Sequence, residues 1–207
     1  MIKSMPILIG VITFVIVIKI MLKKSDNGYD KSVDDFMQRE LEANNTIKDF
    51  DKLDINFVEP SNVLPFIDYE NIPTYKKVIK KQDLVKRKIE LDMIKIPSNL
   101  TNTELKEMYG VNNFDKISKL EEHYNSYVRG LFEWAEELYN LNNIYDCKKV
   151  LLEAVRLEAN ISQVYILLAK IYFKENDKSS LTNLKNNIND MDLSLKKVVL
   201  EEIEKYL

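Results

Sequence analysis

Leu131-Phe132-Glu133-Trp134-Ala135-Glu136-Glu137-Leu138 and Tyr165-Ile166-Leu167-Leu168-Ala169-Lys170-Ile171-Tyr172 are the stretches whose reading decides the fold. In each, a bulky apolar residue is followed three positions later by a second, at once by alanine, and then by a third. Spacings of three and four place all of them on one face of a helix. Working outward, the first stretch belongs to a helix over about 113–141, with the stripe Ile117, Leu120, Tyr124, Tyr127, Val128, Leu131, Ala135 and Leu138. Asn142-Asn143 breaks it. A second helix over about 145–158 carries Cys147, Val150, Leu151, Ala154 and Val155, and a third over 162–174 carries Tyr165, Leu168, Ala169, Ile171 and Tyr172. After Asn176-Asp177 a fourth carries Leu181, Leu184 and Ile188. A fifth, over about 192–206, carries Leu195, Val198, Val199 and Ile203, with Leu207 just beyond. Helices this short, joined by tight polar turns, predict antiparallel hairpins.

These residues resemble a tetratricopeptide repeat, a 34-residue pair of helices with a small residue in the first helix and two more in the second. One copy reads Leu131, Trp134, Ala135 and Leu138, then Cys147, Leu151 and Ala154; the next begins Tyr165, Leu168, Ala169 and Tyr172. Lys185 departs from the second-helix pattern, and Asn160-Ile161 stands in place of the usual proline-containing turn. The resemblance covers about Val128 to Asn189. It implies that Ala135 and Ala169 sit at crowded helix crossings, and that the helix over 192–206 is the cap such arrays need. It also implies a concave face formed by Arg129, Phe132, Glu136, Tyr139, Gln163, Ile166, Lys170 and Phe173. Four of these are apolar although they lie off the core stripe, and an apolar patch left wet usually marks an interface. Either the chain covers it, with residues 53–67 or a helix over 98–110, or a partner peptide does.

Met5 to Leu22 is apolar except for Thr13 and Lys19, with Lys23 and Lys24 at its end. The length approaches that of a helix crossing the hydrocarbon layer, roughly 17 to 25 residues. A cleaved signal peptide would carry a small-x-small site, and none follows. A buried core helix is the other reading, but a terminal stretch apolar all round has no face to show water. A single span fits best, with Lys19 snorkelling to the headgroups. Lys3 stands upstream, while Lys19, Lys23, Lys24 and Lys31 stand at or beyond the other end. The bias toward basic residues inside predicts a single-pass cell-membrane protein with its N-terminus out and the bulk of the chain in the cytoplasm.

The chain divides by composition into an anchor (1–24), an acidic spacer (25–54), an irregular and basic segment (55–110) and a helical domain (111–207). In the spacer, nine acidic residues face four basic ones. There Ser32 with Asp35 resembles a capping box before Val33, Phe36, Met37 and Leu41, predicting a helix to about Asn44. Pro60, Pro65 and Pro73 break the apolar stretch over 53–73 and force extended geometry. Residues 74–89 hold seven basic residues, Lys76, Lys77, Lys80, Lys81, Lys86, Arg87 and Lys88, against Asp83 alone. That helix is a solvated face whose charge balances the acidic 25–54 stretch, a binding site for anionic lipid, or a contact for RNA or an acidic partner. Ser98 to Thr103 with Leu105 and Met108 predict a short helix stopped by Gly110.

Four glycines and five prolines in 207 residues, with 30% charged, favour an all-α chain. The net charge of −3 does not suggest nucleic acid. A single cysteine, Cys147, and a single histidine, His123, leave no disulfide and no Cys- or His-pair metal motif. Phosphate loops and nucleophile motifs are missing too. Glu121 and Glu122 beside His123 point to different helix faces. No catalytic, cofactor or metal residue is expected. The sequence reads as a non-enzymatic, membrane-anchored adaptor that binds a protein segment. The alternatives are an accessory subunit of an envelope or transport complex, or a peripheral binder of anionic lipid.

Overall fold

The computed structural model describes Phe14, Ile18, Lys19, residues 32–67 and residues 72–207. It is all-α: among these residues no strand forms, and the one extended pairing is an isolated antiparallel bridge between Phe57 and Ile94. The helices are α1 (residues 32–45), α2 (Lys76–Ile89), α3 (Asn102–Tyr109), α4 (Phe114–Asn140), α5 (Ile144–Arg156), α6 (Ser162–Lys174), α7 (Lys178–Asp190) and α8 (Lys196–Glu204). Of the apolar run 5–22, only Phe14, Ile18 and Lys19 are described, each helical; the expected span otherwise lies outside the described residues. No helix among the described residues is long and apolar enough to cross a membrane.

The chain forms two compact units. One comprises the described residues up to Leu53 together with Thr101–Phe114; the other comprises Asp54–Leu100 and Asp115–Leu207.

In the first unit α1 and α3 meet through polar groups. Arg39 grips Glu107 with two hydrogen bonds of 2.7 and 2.6 Å. Lys106 donates to Glu40 at 2.6 Å and to Asn44 at 2.7 Å, and the Thr103 hydroxyl donates to Glu40. Thr101 and Glu104 form a reciprocal capping box that starts α3. Gly110 ends it with φ at +81°, where a Cβ would lie 2.7 Å from the Lys48 backbone nitrogen, so only glycine fits. The large apolar residues of α1, Val33, Phe36, Met37 and Leu41, are all exposed, while Ala43 is buried.

In the second unit, α4 to α8 build the core. Tyr127, Leu131, Trp134, Ala135, Cys147, Leu151, Ala154, Tyr165, Leu168 and Ala169 are fully buried. Each fully buried large apolar side chain contributes on the order of 1.5–3 kcal/mol. The turns repeat as the side chains do. Asn142, Glu158 and Asn176 take left-handed backbone conformations at φ 58°, 51° and 57°. Each closes a helix with the paired hydrogen bonds of a Schellman motif: Asn143 to Leu138, Ala159 to Ala154 and Asp177 to Tyr172, all at 2.9 Å. Asn143 and Asp177 then cap α5 and α7 with their side chains. Asn142-Asn143 and Asn176-Asp177 stand at the 34-residue spacing of the alanines.

Residues 54–100 complete this unit. Phe66 stacks on Trp134. Buried Gln82 holds the Ile67 backbone from both sides, accepting from its N–H at 3.1 Å and donating to its carbonyl at 2.8 Å. Buried Glu153 accepts the Ser61 N–H at 2.8 Å, and Arg156 donates to both Glu153 and the Glu59 carbonyl. Over residues 54–67 the Pro-containing stretch is non-helical, with a turn at Asn62-Val63, and it is ordered by polar clamps as well as by packing.

Candidate functional site

The concave-face residues expected from the sequence fall into two groups. Arg129, Phe132 and Glu136 from α4 and Gln163 from α6 share one cavity of about 520 Å³, together with Glu133, Asn160, Ile161, Ser162, Ser194 and Leu195. Asn160 closes one end, its side chain donating to the Ser194 hydroxyl at 2.8 Å and accepting the Ser194 N–H at 2.9 Å. Arg129 and Gln163 are exposed, and Arg129 has no ion pair among the described residues. Glu133 is paired with Lys81 at 2.7 Å. The cavity thus offers an apolar floor, Phe132 and Ile161, between an unclaimed cation, Arg129, and an unclaimed anion, Glu136.

Tyr139, Ile166, Lys170 and Phe173 do not line this cavity. Lys174 donates to the Tyr139 hydroxyl at 2.6 Å, and the Lys170 ammonium stands 5.9 Å from the centre of the same ring. Ile166 packs against the core. Phe173 is 52% exposed and leans on Tyr206, ring centres 5.3 Å apart. Near the C-terminus the chain thus touches the Phe173 end of the face without burying it. Of residues 53–67, expected as one possible cover, Phe66 lies on Trp134 while Glu59 and Ser61 are held by Arg156 and Glu153 of α5. The other expected cover, α3, belongs to the first unit.

The basic helix also divides. Val78, Gln82 and Val85 are its buried side. Lys81 serves Glu133, Lys86 lies over the Phe66 ring at 5.6 Å, and Lys88 donates to the Ser126 carbonyl at 2.6 Å. Burial holds the Lys88 ammonium below its ordinary pKa. Lys76, Lys77, Lys80 and Arg87 are exposed and have no ion pair among the described residues.

A second cavity, of about 830 Å³, is one that sequence reasoning missed. Lys95 to Asn99, Glu121, Tyr124, Asn125, Glu158, Asn160 and Asp192 line it. Lys95 pairs with Glu158, and the Ser98 hydroxyl donates to Asp192. Burial pushes the Glu121 carboxyl above the usual range. Its residues come from four separate stretches with no shared period, so no sequence signal joins them. Glu122 is exposed, and His123 Nδ1 lies 2.8 Å from the Asp92 carbonyl. The three residues Glu121, Glu122 and His123 do not converge. Cys147 is buried, its thiol pushed up to about 12 by desolvation. Among the described residues no cluster of His, Cys, Asp or Glu is placed to hold a metal ion.

No protein-family model, curated protein or solved structure matches this chain.

Proposed function

We propose that this chain is a non-enzymatic, membrane-tethered adaptor. Its α4–α7 hairpins form a tetratricopeptide-like pair, and α8 is the cap. The groove between α4 and α6 takes an extended protein segment. One observation carries this reading: Arg129, Phe132, Glu136 and Gln163, chosen from two separate stretches, line a single open cavity. An apolar floor with one exposed charge of each sign suits a peptide carrying an apolar anchor beside polar groups. The apolar run 5–22 would be the tether, with the helical domain on the cytoplasmic side. Tethering raises the concentration of the groove near membrane partners without any added contact.

The test is photocrosslinking in cells from a probe placed at Gln163 in the full-length protein, with a probe at Lys197 on α8 as control. The expected result is a protein captured from position 163 alone, and lost when Arg129→Glu and Glu136→Lys are introduced together. These side chains are exposed, so the double variant should keep its fold. Equal capture from both positions, or capture indifferent to the reversals, removes the groove from the function.

A further inference from the structure

We propose that α2 is a docking face for an anionic lipid surface, carried by Lys76, Lys77, Lys80 and Arg87 and not by the other three basic residues of the segment. Lys76, Lys80 and Arg87 recur at intervals of four and seven, on the side of the helix opposite Val78, Gln82 and Val85. From Lys76 to Arg87 they cover roughly 16 Å of helix. Lys77 widens the row. Asp83, the one acidic residue within α2, is turned to Lys86 at 3.8 Å. Asp83 lies on the same face between Lys80 and Arg87, so four basic groups stand there against one acidic group that is itself paired with Lys86. Before the 3-10 turn Pro73–Tyr75 that leads into α2, Ile72 stands 46% exposed.

The chemistry favours headgroups. Three of the four cations are lysines, compact charges on flexible stems that ask for a diffuse negative surface rather than a fixed acceptor geometry. The exposed side of α2 carries no aromatic ring on which a base of single-stranded nucleic acid would stack. The chain as a whole is acidic, at −3, while residues 74–89 carry seven basic groups against one acidic one. A negative surface thus attracts this face and repels the remainder, which orients the unit. The inference rests on the proposed tether only for nearness to the bilayer. It is independent of the groove.

The contribution is several-hundredfold in all, at about fivefold for each basic group near such a surface, and it is screened by salt. The test uses full-length protein in vesicles of phosphatidylcholine alone and of phosphatidylcholine with phosphatidylglycerol. Brief acetylation followed by mass spectrometry reads each lysine. Lys76, Lys77 and Lys80 should react several-fold more slowly in the anionic vesicles, and high salt should abolish the difference. Lys197, 89% exposed in its side chain, should react alike in both. Lys81→Gln should leave the protection intact, because Lys81 belongs to Glu133. Equal reactivity in the two vesicles overturns the proposal, as does protection by added RNA in place of anionic lipid. Failure of the tether reads separately, as protein that does not enter phosphatidylcholine vesicles; anionic vesicles then still test α2.

Discussion

Phe66 lies flat on Trp134, ring centres 5.2 Å apart and planes 8° from parallel. This contact joins the proline-broken segment to the C-terminal part of α4, and it involves the only tryptophan in the chain. Phe66 is partly buried, so Phe66→Ala should cost about 2–3 kcal/mol, below the full penalty for a core phenylalanine. Tryptophan fluorescence reports the loss directly. The emission of Trp134 should shift to the red in the folded variant, and the denaturant midpoint should fall.

Gly130 marks where α2 approaches α4. A Cβ there would stand 3.3 Å from Val85 Cγ2 and 3.4 Å from Lys88 Nζ. Gly130→Ala gains helix propensity, about 1 kcal/mol, and spends much of it pushing Val85 aside. Its net effect should be close to zero. Gly130→Val adds two more carbons against the same neighbour and should destabilise by about 1–3 kcal/mol. Urea denaturation of the pair checks both.

Glu158 closes α5 at φ 51°, a conformation that costs a residue with a side chain about 1 kcal/mol. Glu158→Gly should therefore stabilise the chain by about 0.5–1 kcal/mol, after loss of an exposed ion pair with Lys95 worth little. Asn176→Ala, at φ 57°, should do the reverse by a similar amount. Thermal unfolding of the two variants separates the signs.

Cys147 is fully buried and its thiol is held near 12, above its ordinary value of 9.0. The native protein should therefore resist maleimide at neutral pH and react only on unfolding. The folded state disfavours the thiolate. This favours folding while the thiol is neutral, fully below pH 9.0, and the contribution fades as pH rises from there toward 12. Alkaline denaturation of Cys147→Ala, compared with the parent, should show the dependence reduced.

Glu40, Glu104 and Glu107 are each held below the ordinary carboxylate value of 4.5, chiefly by bonds from Lys106, from the Thr101 backbone and from Arg39. Their ionised forms favour the folded first unit. That support is complete above pH 4.5 and drains away as pH falls below it. Backbone amides of α1 and α3 should lose hydrogen-exchange protection on acidification before those of α4–α6. Simultaneous loss in both units would contradict this.

The helices of the second unit were legible because burial imposes a period: Leu131, Trp134, Ala135 and Leu138 had to share a face, and they do. The turns were legible too, since Asn142 and Asn176 tolerate the left-handed conformation. Glu158, in the same role, carried no such mark. The pattern grouped Arg129, Phe132, Glu136 and Gln163, which line one cavity, but it could not see that Tyr206 returns to Phe173. Such a contact depends on how α8 lies, not on any local spacing. Likewise seven basic residues in one short segment looked alike. Which were free depended on Glu133, the Phe66 ring and the Ser126 carbonyl, all distant in sequence.

Sequence by itself determined the all-α class, the helices and the turns at Asn142 and Asn176, because these follow from hydrophobic period, capping chemistry and backbone preference, which act over a few residues. Tertiary structure alone decided that residues 54–100 pack with the C-terminal helices and that α3 pairs with α1. It also decided that one cavity gathers only half of the expected face, while Tyr206 lies against Phe173. These outcomes rest on shape and on the satisfaction of buried polar groups such as Gln82 and Glu153, whose partners lie far along the chain.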